Sequence, residues 1–173
     1  LQGVKQASEI AVPTAACGII IGVVIQSGLA TKVSKLIANV GSSYLILALL
    51  ITMLGCMLLG MALPTVAAYL VANVLFVPTL IGLNIQPLQA NMFVFYFGIM
   101  AQITPPVCVA SFTAAGIAGA DSMKTGLTGF AYALVAFLVP FIFIYDPSIL
   151  LVGTPLEIVK GTLILFLGTY LLA

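Results

Sequence analysis

The sequence predicts an all-α polytopic membrane protein with a re-entrant helical hairpin and a broken transmembrane helix. Of its 173 residues, 63% are hydrophobic and only 5% are charged, against roughly 25% charged in a soluble domain. No charged residue stands between Lys35 and Asp121, and that stretch has room for about four helices of about 20 apolar residues each. Prolines interrupt two of these apolar runs. An apolar excess of this size must face lipid.

The composition also excludes several classes of function. The net charge is +1 and no basic cluster is present, which argues against a nucleic-acid partner. The sequence has no histidine, so histidine-based nucleophilic catalysis and histidine-ligated metals are excluded. An intramembrane enzyme is further disfavoured because no paired carboxylates lie within the apolar runs. We therefore expect no catalytic residue.

The cysteines and the ends of the chain lead to two smaller expectations. Cys17, Cys56 and Cys108 lie far apart in apolar runs and form no CxxC pair, so we expect buried free thiols. The chain starts at Leu1 without an initiator methionine and stops at Ala173 within an apolar run. It therefore resembles a piece of a longer polypeptide.

Glycine, proline and charged residues divide the chain into segments. Segment 31–41 carries lysines on one helical face and aliphatic residues on the other, which is typical of a helix lying in the membrane interface. We expect 82–89 to be a polar turn and Pro140 to kink its helix. The segments are a connector at 1–9, a transmembrane helix at 10–30, the interfacial helix at 31–41, a re-entrant hairpin at 42–80, a broken transmembrane helix at 88–118, a transmembrane helix at 124–145 and a truncated transmembrane helix at 158–173.

The hairpin is predicted from two consecutive apolar runs of unequal length. The first begins at Tyr44 and ends at Leu63-Pro64-Thr65, and the second begins at Val66 and stops at Pro78. The second run is too short to cross the bilayer core at 1.5 Å per residue. Two conventional crossings joined by a tight loop at Pro64 are the alternative, but an uncharged tip favours the hairpin.

The two proline breaks share one predicted design. Thr65 is expected to cap a helix that starts at Val66, and in Thr104-Pro105-Pro106 the threonine is expected to cap a helix that starts at Val107. Each break leaves backbone groups without helical partners. In hydrocarbon such groups are tolerated only where protein buries them or where they line a polar cavity.

These breaks could bind ions without any charged side chain. A helix N-terminus attracts an anion, and the free carbonyls that end the preceding helix can coordinate a small cation such as Na⁺. A proton relay is disfavoured because it usually needs an intramembrane acid or histidine. Gln102 is candidate polar lining, whereas Asn73 and Asn91 are either lining or hydrogen-bond partners between helices. The aromatic run Phe93–Phe97 is expected to pack against lipid and neighbouring helices.

At these same residues the sequence resembles a known family. The stretches Leu59–Tyr69 (LGMALPTVAAY), Asn91–Gly98 (NMFVFYFG), Ile103–Val107 (ITPPV) and Ala114–Asp121 (AAGIAGAD) are similar to the large membrane subunit of tripartite ATP-independent periplasmic (TRAP) transporters. The closest similarity is to the fused-permease type that works with a TAXI-class solute-binding protein. Matching positions span about residues 10 to 153. The GMxLPT tip followed by a TPP break is the specific combination.

The resemblance implies the carboxyl-terminal half of an elevator-type secondary transporter related in fold to divalent-anion/sodium symporters. It implies a multi-pass protein of the bacterial inner membrane that imports organic acids (carboxylates), with Na⁺ as the coupling ion and no other cofactor. The implied partners are a periplasmic solute-binding protein and a small membrane subunit or its fused equivalent. A re-entrant-loop ion channel subunit is the alternative, although the sequence shows no repeated filter.

The resemblance also implies roles for individual residues. Segment 31–41 would be an arm between scaffold and moving domain, and it would lie on the periplasmic side, which the distribution of lysines does not support. Relatives often carry histidine where Asn91 stands. The implied substrate-binding residues are Thr65, Thr104, Pro106 and Asn91, and the implied sodium-binding residues are Gly60, Leu63, Pro64, Thr65, Gln102, Ile103 and Thr104.

Overall fold

The computed structural model describes residue 15 and residues 18–41 and 44–172, and the predicted connector at 1–9 lies outside them. Within this part of the chain every regular element is helical, so the all-α class is confirmed. The α-helices are α1 Gly18–Gln26, α2 Leu29–Gly41, α3 Leu45–Ala62, α4 Thr65–Gly82, α5 Pro87–Met100, α6 Val109–Ala118, α7 Ser122–Ala133, α8 Val139–Tyr145 and α9 Pro155–Leu172. Short 3₁₀ segments occupy Ala101–Ile103, Leu134–Leu138 and Pro147–Leu150.

Within the described part of the chain, two helices are long and apolar enough to cross a membrane. They are α4 and the continuous stretch Ser122–Tyr145, which joins α7 to α8. The pair α1 and α2, bent by 68° at Ser27–Gly28, would make a third if it forms one span. Half of α4 is buried inside the protein, against 17% of Ser122–Tyr145. The first span is therefore covered by protein over about half of its residues, whereas the second presents most of its apolar surface outward, as a membrane protein requires.

Helix α5 lies at the centre of the bundle, between the hairpin helices α3 and α4 and the end of α8. Its Phe93 and Phe97 side chains are fully buried. Both contact Phe141, with ring centroids 5.5 and 5.9 Å apart in edge-on geometry, an arrangement that adds to simple area burial. Phe95 on the opposite face is exposed. The expectation that these aromatic residues pack against neighbouring helices is confirmed for Phe93 and Phe97, whereas contact of the run with lipid stays a prediction.

The sequence analysis predicted that the second helix of the hairpin stops at Pro78, and this prediction is wrong. Helix α4 continues through this proline to Gly82, although a proline inside a helix removes one backbone hydrogen bond. The helix persists because its C-terminal part is held by neighbours: Thr79 is buried and its hydroxyl donates to Ser34 Oγ of α2 at 2.6 Å. Tertiary packing overrides a local helix breaker here.

The helix that contains Pro140 changes to a 3₁₀ segment just before this proline. Leu134–Leu138 is 3₁₀, and Pro140 lies in the first turn of α8, where its missing N–H is tolerated. The carbonyl of Ala136, four residues earlier, thereby loses its α-helical donor. It accepts instead from the Tyr96 hydroxyl at 3.1 Å and from the Val139 N–H. The predicted kink is therefore a stretch of altered helix that α5 stabilises.

The predicted polar turn at 82–89 is shorter in the structure, because α5 begins at Pro87. Gln89 is buried, and its Nε2 donates to the carbonyls of Phe143 and Ile144 at 2.7 and 3.0 Å. Carbonyls at a helix end lack hydrogen-bond donors within the helix, and Gln89 provides the donor for two such carbonyls at the end of α8. The start of α5 therefore lies beside the end of α8.

Candidate functional site

The candidate site begins at the tip between α3 and α4. Helix α3 ends at Ala62, and Leu63 and Pro64 continue with extended backbone (ψ 152° and 148°) before α4 starts. Because proline has no N–H, the Gly60 carbonyl lacks the donor that residue i+4 would otherwise provide. The side-chain Nε2 of Gln102 donates to this carbonyl at 3.2 Å. Pro64 therefore leaves the Gly60 carbonyl without a helical donor, and a side chain of the broken helix donates to it instead.

The break after α5 is the second half of the site. The α-helix changes to 3₁₀ at Ala101–Ile103, Thr104 is extended (φ −96°, ψ 125°) and α6 starts only at Val109. Pro105 and Pro106 lie four residues after Ala101 and Gln102. Neither of those carbonyls can therefore accept an α-helical bond, and the Ala101 carbonyl accepts from the Thr104 N–H at 3.2 Å instead.

Close packing joins the tip to the break. Gly60 is buried, and a Cβ atom at this position would lie 2.6 Å from the Gly98 carbonyl oxygen and 2.6 Å from Ala101 Cβ. Real Cβ atoms do not approach this closely, so only glycine allows the contact. The hairpin tip and the broken helix therefore meet, with small residues at the contact as is usual between membrane helices.

Both predicted threonine caps are wrong. The N-cap position of α4 is Pro64, Thr65 is already the first helical residue, and no side chain caps this helix. The N-cap position of α6 is Cys108, again without a side-chain cap. The Thr104 hydroxyl points back to donate to the Met100 carbonyl at 2.7 Å. It does so because the Thr104 N–H is engaged by Ala101, which leaves the Met100 carbonyl in need of a donor.

The structure brings two of the sequence-predicted residues, Gly60 and Gln102, into direct contact and separates Asn91 from them. Thr65 is half-buried, Thr104 is buried and Pro106 is exposed. Asn91 precedes Gln102 by three helical turns, about 16 Å along α5 at 1.5 Å per residue. The other predicted residues adjoin these two along the chain: Leu63, Pro64 and Thr65 at the tip, and Ile103, Thr104 and Pro106 at the break.

Asn91 belongs to a separate polar cluster between α4 and α5, formed with Tyr69 and Asn73. Its Oδ1 accepts from the Tyr69 hydroxyl at 3.0 Å and from Asn73 Nδ2 at 2.5 Å, and its Nδ2 donates to the Pro87 carbonyl at 2.7 Å. Asn73 Nδ2 also donates to the Tyr69 hydroxyl at 3.2 Å. Asn73 and Asn91 are thus hydrogen-bond partners between helices. The sequence analysis missed Tyr69, although its spacing of four from Asn73 places both on one helix face.

We expect Tyr69→Phe to destabilise the bundle, because the variant loses the hydroxyl that bonds to both asparagines. Hydrogen bonds between membrane helices contribute about 0.6 kcal/mol on average and up to about 1.7. Thermal unfolding of the purified intact transporter should show a lower midpoint for Tyr69→Phe. Tyr132→Phe is the matched control because the Tyr132 side chain is 86% exposed. Equal midpoints for the two variants would contradict a stabilising role for the cluster.

The chemistry available at the tip and the break is that of oxygen ligands. Among the described residues no group of three His, Cys, Asp or Glu side chains comes together to hold a metal. Cys56 and Cys108 are buried free thiols as predicted, whereas Cys17 lies outside the described residues. A cation at this site would therefore be coordinated by carbonyl, hydroxyl and carboxamide oxygens, which are ligands for hard cations.

Interrupted apolar helices that meet inside a helical bundle are the architecture of membrane transport proteins. Residues 1–158 match the family described as "Tripartite ATP-independent periplasmic transporter, DctM component", and the chain belongs to this family. It is therefore part of the permease component of a TRAP transporter, and the family is one of transporters and not of enzymes. Membership implies a periplasmic binding protein and a small membrane subunit as partners in general terms. No curated protein and no solved structure gives a significant match.

Proposed function

We propose that this chain is the part of a TRAP permease that binds Na⁺ and an organic acid during sodium-coupled import across the bacterial inner membrane. The observation that carries the proposal is the contact between the two proline breaks, where Gln102 Nε2 donates to the Gly60 carbonyl at 3.2 Å. The tip and the break each carry freed backbone carbonyls and each precede a helix N-terminus, and neither segment has an ionised side chain. Such a combination suits a cation and a carboxylate together.

The sodium step centres on Gln102. A glutamine side chain ends in an oxygen acceptor on one side and an NH₂ donor on the other. In the observed arrangement the NH₂ group lies against the Gly60 carbonyl. Rotation of the carboxamide would place Oε1 beside that carbonyl, so that two oxygens face one cation. Further ligands would come from Leu63, Pro64 and Thr65 at the tip and from Ile103 and Thr104 at the break.

The substrate carboxylate would lie near the N-terminal ends of α4 and α6, where the peptide dipoles favour negative charge. Thr65 is in the first turn of α4, and the exposed Pro106 precedes α6. Because the Thr104 hydroxyl is engaged by Met100, Thr104 contributes by holding the shape of the break. Asn91, in its cluster with Tyr69 and Asn73, would hold the second hairpin helix against α5.

Transport would follow from movement of the hairpin and the broken helix as one domain against a scaffold, as in an elevator mechanism. Two sets of contacts support joint movement: Gly60 and Gln102 connect α3 to the break, and Asn91 connects α4 to α5. Segment 31–41, which is all of α2 after its first two residues, would be the arm. The energy would come from the Na⁺ gradient through its differential binding to the two states.

The direct test is uptake of a panel of radiolabelled organic acids by the intact transporter in proteoliposomes. Uptake should require both an inward Na⁺ gradient and the periplasmic binding protein, and we expect about a tenfold fall or more when either is omitted, since gradient and delivery both limit the cycle. Replacement of Na⁺ by K⁺ is the matched control. Sodium-independent uptake, or uptake unaffected by removal of the binding protein, would contradict the proposal. Single-channel currents would instead support the re-entrant-loop channel.

A further inference from the structure

A second site is suggested by two adjoining cavities far along the chain from the hairpin. The first is an apolar cavity of about 180 Å³ between the stretch Val135–Ile142 and helix α9, lined among others by Leu138, Ile164 and Gly168. The second is a cavity of about 540 Å³ whose lining includes the polar and charged side chains of Ser148, Glu157 and Lys160. Asp146, Gly161 and Ile164 line both. Together they form one cleft with an apolar and a polar end.

The position of this cleft matches a membrane surface. Its apolar end runs beside the span Ser122–Tyr145, whereas its polar end is formed by the segment that follows that span and by the first turns of α9. The apolar end is somewhat larger than an engineered cavity of about 150 Å³ that binds benzene. It can therefore accept several methylene groups of a chain that enters from the bilayer.

The polar end carries a hydrogen-bonding group that no part of the described protein satisfies. Ser148 is 5% exposed, and its Oγ has no hydrogen-bond partner. It faces Gly161, where a Cβ atom would collide with this Oγ. A buried hydroxyl without a partner costs free energy. Because the Ser148 Oγ is covered in the observed arrangement, a ligand in the cavity would bond to it only after the side chain rotates away from Gly161.

The charges around this hydroxyl have both signs. Asp146 Oδ1 accepts from the Ser148 N–H at 3.0 Å, and a Glu157 oxygen accepts from the Thr154 N–H at 2.8 Å. The pKa of Asp146 is lowered first by the nearby Ser148 side chain and then by the Ser148 backbone N–H. The Ser148 hydroxyl lies close to the carboxylate without reaching hydrogen-bond geometry. The Thr154 N–H lowers the pKa of Glu157. Two carboxylates thus line the cavity at neutral pH, and the Lys160 side chain lies beside them.

We propose that this cleft binds a phospholipid with a primary-amine headgroup, such as phosphatidylethanolamine. An acyl chain would fill the apolar end, where Gly168 leaves space on the surface of α9. The headgroup ammonium would donate to Asp146 and Glu157, while the phosphate would accept from Lys160 and the Ser148 hydroxyl. A choline headgroup has no N–H to donate, and a glycerol headgroup has no positive charge for the carboxylates. The inference is independent of the sodium site.

Native mass spectrometry of the intact transporter, equilibrated with equal amounts of phosphatidylethanolamine, phosphatidylglycerol and phosphatidylcholine, tests this site. We expect retained phosphatidylethanolamine to exceed each of the others about fivefold, since two charge-assisted hydrogen bonds distinguish them. Asp146→Asn should lower this preference to about twofold, because the neutral amide no longer attracts the ammonium while Glu157 still does. Equal retention of the three lipids by the unsubstituted protein, or no retention, would overturn the proposal.

Occupancy of the apolar end is tested separately by Gly168→Leu. A Cβ atom at Gly168 meets nothing within 4 Å, so the variant should fold while its side chain fills the cavity, and phosphatidylethanolamine retention should fall about fivefold. Gly116→Leu on α6 is the matched control, because Gly116 is likewise exposed to open space and its retention should not change. Unchanged retention in a folded Gly168→Leu transporter would overturn the placement of the acyl chain.

Discussion

Sodium-driven uptake by Gly60→Ala is expected to fall about ten- to a hundredfold, because overpacking a tight contact costs about 1–3 kcal/mol. The added Cβ would lie 2.6 Å from the Gly98 carbonyl oxygen, which is backbone and cannot rotate away. The hairpin tip must then separate from the break, which would pull the proposed cation ligands apart. Uptake in proteoliposomes, normalised to the amount of inserted protein, measures the effect.

Gly98→Ala is the matched control for this experiment. Gly98 takes part in the same contact through its carbonyl oxygen, but a Cβ atom on Gly98 itself meets nothing within 4 Å. Both substitutions raise intrinsic helix propensity by about 1 kcal/mol, so a difference between them isolates the steric effect. Equal uptake by the two variants would contradict a functional contact between the tip and the break.

The second large effect is expected for Gln102→Leu, which should raise the Na⁺ concentration for half-maximal uptake about tenfold. Leucine removes both the donor seen at the Gly60 carbonyl and the carboxamide oxygen proposed as a cation ligand, and one such interaction contributes about 1–1.5 kcal/mol. Gln102→Glu should instead keep or strengthen the response to Na⁺, since a carboxylate offers oxygen on both sides. The measurement is initial uptake rate against Na⁺ concentration.

Gln26→Leu serves as the control, because it makes the same chemical change at an exposed glutamine at the end of α1. Its Na⁺ dependence should match that of the unsubstituted transporter. The role of Gln102 would be contradicted if its leucine variant showed unaltered Na⁺ dependence. It would be contradicted equally if the glutamate and leucine variants behaved alike, because the effect would then not depend on a ligand oxygen.

The two interruptions were predictable because their cause is local. Proline has no N–H and restricts the residue before it, so Pro64 and the pair at 105–106 identify helix ends without knowledge of any neighbour. The same local reasoning failed at Pro78, where α4 continues because Thr79 and Ser34 hold it against α2. A proline predicts a missing hydrogen bond, and the packing around it decides whether the helix ends there.

The roles of the polar side chains were harder to predict, because a side chain bonds to whatever the fold places beside it. The sequence identified Thr65 and Thr104 as caps, yet the Thr104 hydroxyl returns to Met100 and Thr65 caps nothing. For Asn91 the sequence left two interpretations open, and the cluster with Tyr69 and Asn73 shows hydrogen bonds between helices. Gln89, assigned to a turn, bridges two helix ends across a gap of more than fifty residues.

The sequence by itself determined that this protein is helical and belongs in a membrane, because composition acts without reference to the fold. It also determined where two of the helices lose backbone donors, because proline lacks an N–H in any fold. Only the tertiary structure decided which group meets each freed carbonyl. Gln102 reaches Gly60 across 42 positions in the chain, and it does so because Gly60 lets α3 approach α5 within the reach of a side chain. Hydrogen bonds act over about 3 Å, so their partners depend on packing that no local pattern encodes.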